Sequence, residues 1–213
     1  MPETLTLSSL PLFPLGAVLF PGGVMPLRIF EVRYLDMIGR CHKAGVPFGV
    51  VTLTQGAEVR RPGGGVEAFH SVGTLATITA LETPQPGLMT IQCHGEQRFR
   101  IARSEQLKHG FWIADVQRLA DDLPIPVPDD LKHASNALER VLDTLRARQT
   151  PSNAPAHIEG PMCFDDCGWL ANRWSEILPV PLELKQRLMQ LDNPLVRLEL
   201  VSDILVRTGI TSG

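Results

Sequence analysis

The sequence has no hydrophobic run long enough to cross a membrane. Among its 213 residues there is no stretch of about 18 consecutive apolar residues, the length that a transmembrane helix requires. The first residues also lack the basic and apolar segments of a signal peptide. Its four cysteines are too few for a disulfide scaffold in a chain of this length. We therefore expect a cytoplasmic protein that does not bind a membrane.

An excess of basic residues is absent as well. Lysine and arginine number 20 against 23 aspartates and glutamates, which gives a net charge of -3 and a pI of about 6.1. Domains that bind DNA usually carry a net positive charge, because they neutralise many phosphates. This composition argues against broad phosphate neutralisation, and we expect no DNA partner.

Motifs for catalysis are missing too. The sequence contains neither the Gly-x-x-x-x-Gly-Lys-Ser/Thr loop that holds nucleotide phosphates nor the Gly-x-Ser-x-Gly turn of serine hydrolases. Cys93 and His94 are neighbours on a predicted strand, so their side chains point to opposite faces and cannot form a dyad. Cys163 and Cys167 are close in sequence, with His157 as the nearest third ligand, yet no second pair completes a metal site. We expect ordinary thiols there, and no catalytic residue, metal or cofactor.

The most informative segment runs from Leu10 to Tyr34. In it apolar residues alternate with prolines, the chain turns at Pro21-Gly22-Gly23, and an amphipathic stretch follows. Proline lacks an N–H group and fixes φ, which suits strand ends and sheet edges rather than central strands. An apolar run without a nucleophile, base or metal ligand indicates a packing and binding surface rather than a catalytic site.

Five side chains of this segment are candidates for lining a groove that binds polypeptide: Phe13, Phe20, Met25, Phe30 and Tyr34. Most residues of this kind belong to a core, and that interpretation stays open for each of them. Phe20 stands apart because it lies on a proline-glycine loop, where burial is harder. Apolar side chains exposed beside a sheet edge would suit the capture of an extended polypeptide.

Up to about residue 119 the pattern predicts mainly strands. Alternating apolar and polar residues predict short, regularly spaced strands, and helical spacing predicts one helix that stops at Gly45 and Pro47. Gly95 interrupts one strand as a bulge or bend. A small closed or half-closed barrel is the expected arrangement. The predicted strands are 5–15, 24–29, 48–53, 74–81, 88–94, 98–101 and 111–119, and the predicted helix is 30–44.

A segment rich in proline and aspartate at 121–128 separates this region from a helical one. We place a β-barrel domain with one inserted helix at residues 1–120 and a helical domain at residues 121–213. Four helices are predicted in the second domain, and we expect them to form a bundle packed on the barrel. The first helix is expected to be capped by Asp129 or Asp130 and to end near 148, and the second to begin at Asp165 and Asp166 and to end near 178. The third is expected to have Pro181 in its first turn and to end near 191, and the fourth to begin at Asn193-Pro194 and to be stopped by Gly209.

Several motifs together resemble one family. Pro-Leu-Phe-Pro-Leu at 11–15, Pro-Gly at 21–22, Pro-Leu-Arg-Ile-Phe-Glu at 26–31 and Arg-Tyr at 33–34 follow the order of the N-terminal, substrate-binding domain of Lon proteases, which also occurs alone. Segments 72–78, 95–101 and 178–188 are further similarities. The resemblance implies an α+β fold in which a PUA-like β pseudo-barrel, as in the Lon N-terminal domain, is followed by a C-terminal helical bundle.

The resemblance also implies a function. It suggests a non-catalytic module that binds unfolded or extended polypeptide, with protease machinery as a further partner. A full Lon protease carries an ATPase module and a Ser-Lys protease module, and neither is present in this sequence. We therefore expect no enzymatic activity from this chain, whatever the family's protease name suggests.

Two alternatives stay open at this stage. Arg98 and Arg100 share a predicted strand face and Arg103 follows, so a PUA-like barrel could use them to bind RNA, with Arg60 and Arg61 nearby on a glycine-rich loop. The acidic pI and the lack of interleaved aromatic residues favour an ordinary solvated strand face instead. A small-ligand site in a cleft between barrel and helices is the other alternative, and no motif supports it specifically.

Overall fold

The computed structural model describes residues 6–58, 67–108, 110–147 and 161–211. The chain divides into two compact units between Asp121 and Asp122. The described part of the first unit contains seven strands and one helix. They are β1 (Thr6–Leu15), β2 (Val24–Ile29), α1 (Val32–Ala44), β3 (Phe48–Gln55), β4 (Ala68–Phe69), β5 (Val72–Gln85), β6 (Leu88–Gln106) and β7 (Trp112–Arg118).

Five strands of the first unit pair in a closed ring. The order β1-β7-β6-β5-β3 returns to β1, because β1 also pairs with β3. The β1–β3 contact is parallel, with Leu12 opposite Gly49, and the other pairings are antiparallel. Closure of this kind leaves few strand edges open to other chains. The strands β4 and β2 lie outside the ring and pair with β3 and β6.

The sequence suggested that Gly95 interrupts a strand. In the structure β6 continues through Gly95 to Gln106. The expected bulge is present, since the β5–β6 register shifts between Thr74 and Ala76. Gly95 also exchanges backbone hydrogen bonds of 2.7 Å with Gly22 and Gly23. A Cβ atom at position 95 would clash with the carbonyl oxygen of Phe20. This close approach of two backbones explains why the position needs glycine.

Helix α1 buries one face in the first unit. Tyr34, Met37, Ile38 and Cys41 are its buried residues. The helix begins two residues later than predicted, since Glu31 is extended. It ends at Gly45, whose φ of 63° is the left-handed conformation that glycine adopts without strain.

The second unit is helical. The Asp166 side chain accepts a hydrogen bond from the Trp169 N–H group, and the Asn193 side chain accepts from the N–H groups of Leu195 and Val196. Both predicted helix starts are therefore confirmed. Pro181 precedes its helix as the N-cap residue rather than occupying the first turn, and Asp129 and Asp130 lie inside a 3-10 turn rather than capping a helix. The elements are the 3-10 turn Asp129–Leu131, α2 (Lys132–Ala147), α3 (Cys167–Ile177), α4 (Leu182–Gln190) and α5 (Pro194–Arg207).

An apolar cluster around Leu138, Leu170 and Trp174 forms the core of the second unit. Arg197 is buried beside it, and its guanidinium group binds both oxygens of Asp122 at 2.6 and 3.1 Å. This bidentate pair satisfies a charge that would otherwise be costly to bury. None of the helices that the structure describes is long and apolar enough to span a membrane.

Candidate functional site

Three of the five predicted groove residues belong to the core. Phe13, Phe20 and Tyr34 are buried, and the rings of Phe13 and Tyr34 lie 4.3 Å apart. Although Phe20 lies on a proline-glycine loop, where burial is harder, its side chain is 0% exposed. The loop is held against the sheet by the backbone pairing at Gly95 and by the Thr74 hydroxyl, which donates to the Leu19 carbonyl at 2.6 Å.

The other two candidates differ from each other. Met25 is half-buried and packs against the core, whereas 53% of Phe30 is exposed. Phe30 stands at the end of β2, immediately before α1, and its ring is therefore the one of the five that a partner can reach. The structure adds three exposed apolar residues that the sequence did not single out: Val32, Val46 and Leu107.

These exposed residues surround one groove of about 1280 Å³. One wall is α1 with the residues before and after it, and the other is formed by β1 and by the turn between β6 and β7. Within the described part of the first unit, every large apolar side chain that is exposed lines this groove. Scattered exposed apolar residues are normal in proteins, but their convergence on one concave surface is typical of a binding site. We call this surface the α1 groove.

A smaller cavity of about 260 Å³ adjoins the α1 groove. It runs along β2, and Pro26, Leu27, Arg28 and Ile29 line it together with core rings. Phe30 and Glu31 line both cavities. Phe30 and Glu31 therefore lie between the two cavities, and Phe30 is the apolar residue of this pair.

Charged residues of the α1 groove are paired with one another. The Arg33 guanidinium donates to Glu31 at 3.0 Å, to Glu67 at 3.1 Å and to the Gly110 carbonyl at 2.5 Å. The second Glu67 oxygen accepts from the Trp112 indole at 2.9 Å. These bonds connect the start of α1 to the β6–β7 turn, so they fix the two walls of the groove relative to each other. They also compensate the charges, which leaves the groove apolar in character.

The arginines proposed for RNA do not form the expected patch. Arg98 is 3% exposed, while Arg100 and Arg103 are exposed, so the prediction of a shared solvated face is wrong. Arg98 lies opposite Thr74, which is also buried, at a point where β6 is flanked by β5 and β7. Arg60 and Arg61 lie outside the described residues.

Cys93 and Cys167 lack the properties of reactive groups. Burial raises the pKa of the Cys93 thiol to about 12. Burial and the charges of Asp166 and Glu199 raise the pKa of Cys167 to about 11. Thiols with raised pKa values are poor nucleophiles and poor metal ligands at neutral pH. Among the described residues, no cluster of three or more histidine, cysteine or acidic side chains could hold a metal, and His157 lies outside them.

The sequence matches the family described as the ATP-dependent protease La (LON) substrate-binding domain over residues 9–207. The chain belongs to this family. It is 26% identical to a Lon protease of Anaeromyxobacter dehalogenans over 204 residues, which is 93% of this chain and 23% of that protein. Lon protease 2 of Myxococcus xanthus has the same identity and coverage. The chain therefore spans about a quarter of the length of these curated relatives.

Solved structures agree with the family assignment. The Lon N-terminal domain protein from Xanthomonas campestris has a TM-score of 0.70 and 29% identity, over 92% of this chain and 97% of that one. The N-terminal domain of a Mycobacterium avium complex Lon protease has a TM-score of 0.56 and 16% identity, over 92% of this chain and 96% of that one. At this identity the similarity supports the fold alone. The resemblance inferred from the sequence motifs is thus confirmed. The fold is that of the Lon N-terminal domain, with a mainly antiparallel sheet and five α-helices among the described residues.

Proposed function

We propose that this Lon substrate-binding domain binds apolar segments of unfolded or extended polypeptide in the α1 groove. The observation that carries the proposal is the convergence of Phe30, Val32, Val46 and Leu107 on one groove whose charges are already paired. Apolar side chains of a bound polypeptide would cover surface that water now contacts, and that burial supplies the driving force. The module itself carries out no chemistry, and protease machinery is its proposed partner.

The finer architecture belongs to the same proposal. We infer that the closed ring β1-β7-β6-β5-β3 is a PUA-like pseudo-barrel and that the helices of the second unit form a bundle. The pairing of β1 with β3 supports the pseudo-barrel. The apolar cluster that α2, α3 and α5 share supports the bundle. A cytoplasmic location is also proposed, and the four free cysteines are consistent with a reducing compartment.

The affinity for a simple peptide tests the proposed function. The probe peptide is a fluorescein-labelled peptide in which leucine alternates with threonine, and its control has serine in place of each leucine. We expect the probe to bind with little dependence on salt, and Phe30→Ser to weaken binding at least about tenfold, because one exposed aromatic ring lost from the centre of such a site costs about 1.4 kcal/mol or more. Fluorescence anisotropy measures both.

A matched pair of leucines controls for a general loss of apolar surface. Leu107 lines the α1 groove and Leu200 lies on α5, and they are similarly exposed at 39% and 44%. Leu107→Ser should weaken binding and Leu200→Ser should not. Equal effects of the two substitutions would contradict the groove as the site. Binding of RNA that falls steeply with added salt, without binding of the probe peptide, would favour the nucleic-acid alternative.

A further inference from the structure

Within the part of the chain that the structure describes, no strand pairs with the outer edge of β2. Among the described residues, β6 is the strand that pairs with β2, in antiparallel register from Val24 opposite His94 to Ile29 opposite Met89. One residue further along the same register, the Gly95 N–H group donates a hydrogen bond to the Gly23 carbonyl. Antiparallel partners alternate between bonded and non-bonded pairs. The backbone groups of Met25, Leu27 and Ile29 therefore face β6, and those of Val24, Pro26 and Arg28 face away.

The smaller cavity lies along this outer edge. A cavity over one face of a strand is lined by alternate residues, since successive side chains point to opposite faces. Here the consecutive residues 26–29 all line the cavity. A bound chain in the cavity would therefore lie beside the β2 backbone, with an apolar floor of Phe13 and Leu15 beneath it.

We propose that an extended segment of bound polypeptide adds to the outer edge of β2 as a further β-strand and passes Phe30 into the α1 groove. This inference rests on the proposed function and specifies the conformation of the bound polypeptide. Arg28 offers the incoming strand one N–H donor and one carbonyl acceptor. Pro26 offers a carbonyl alone, because proline has no N–H group.

Pro26 also limits how long the added strand can be. A proline at a sheet edge disfavours indefinite pairing between copies of the same protein. An incoming chain can still pair with Arg28 and with the Pro26 carbonyl while its alternate side chains enter the cavity. A short backbone ladder with side-chain pockets is a general mode of recognising extended peptides of varied sequence, since the backbone is common to all of them.

Two substitutions of Arg28 separate backbone from side chain. Arg28→Pro removes the outward N–H group, whereas Arg28→Ala keeps it and removes the charge. We expect Arg28→Pro to weaken binding of the probe peptide about five- to tenfold, the effect of losing one hydrogen bond of ordinary net strength. Arg28→Ala should weaken binding by clearly less than Arg28→Pro, because it keeps the N–H group that pairs with the added strand. Equal losses in both variants would mean that the Arg28 side chain binds the probe, which would overturn the strand-addition proposal.

Methylation of the probe tests the same proposal without altering the protein. A series of probe peptides, each N-methylated at one successive position, removes one N–H donor at a time. We expect sensitivity at every second position, because only alternate N–H groups of an added strand face β2. A uniform response along the peptide would overturn strand addition. If Phe30→Ser still weakens binding in that case, the proposed function stands; if the unmodified probe does not bind at all, both proposals fail.

Discussion

Gly95→Ala is expected to destabilise the first unit by about 3 kcal/mol or more. The added methyl group would clash with the Phe20 carbonyl oxygen and lie 3.0 Å from Leu19 Cγ. The first of these atoms belongs to the backbone, so rotation of a side chain cannot relieve the clash. The hydrogen bonds from Gly95 to Gly22 and Gly23 would have to break or lengthen, and Phe20 would leave its buried position.

Hydrogen exchange measured by mass spectrometry over a urea series tests this, because it reports the two units separately. Gly39→Ala is the matched control, since Gly39 lies in α1 and its added Cβ would meet only the Met89 methyl group at 3.9 Å. Alanine in a helix interior should stabilise by about 0.5–1 kcal/mol relative to glycine. A Gly95→Ala protein as stable as the parent would refute the account of the Phe20 loop.

Glu67→Ala should lower the free energy of unfolding of the first unit by about 2–4 kcal/mol, because two buried donors lose hydrogen bonds to a charged acceptor. Glu67 is buried and accepts from both Arg33 and Trp112. Without it, the Trp112 indole loses its acceptor and Arg33 keeps Glu31 and the Gly110 carbonyl. Glu67→Gln should lower the free energy of unfolding by less, because the amide oxygen of glutamine can still accept from one of the two donors, Arg33 or the Trp112 indole.

The exposed pair of Asp36 and Arg40 provides the control for this prediction. Their ion pair is 2.7 Å long, and both side chains are largely in solvent. Asp36→Asn should change stability by no more than about 0.5 kcal/mol, as for other exposed pairs one helical turn apart. An equal effect of Asp36→Asn and Glu67→Ala would show that the Glu67 network does not hold the groove walls together.

Local sequence rules predicted the elements well where the determinants are local. The strand 24–29 and the helix start at Asn193-Pro194 agree with the structure, and the stop at Gly45 is a left-handed residue as expected. Each of these depends on a few neighbouring residues, such as a cap, a turn glycine or a short alternation. Errors occur where a preceding proline or a 3-10 turn shifts the first helical residue, as at Pro128 and Pro181.

The candidate site was predicted only in part, because it depends on distant contacts. Phe20 is buried by pairing between Gly22, Gly23 and Gly95, which no rule of local sequence predicts. Val46 lies between the helix stop at Gly45 and Pro47, and Leu107 is a single apolar residue among polar ones, so their sequence neighbours gave no sign that they line one groove. Phe30 was identified because it follows a recognisable strand and motif, and it proved to be the exposed member of the five.

The most direct test of the account is to locate a bound peptide on the protein. The probe peptide, carrying photoreactive leucine in place of its leucines, would be irradiated with the full chain, and the cross-linked residues would be identified by mass spectrometry. The account predicts cross-links at Leu107, Phe111 and Ile113 and at those residues between Pro26 and Val46 that line the two cavities sharing Phe30. Cross-links confined to α5, where Val196 and Leu200 are also exposed, would contradict it.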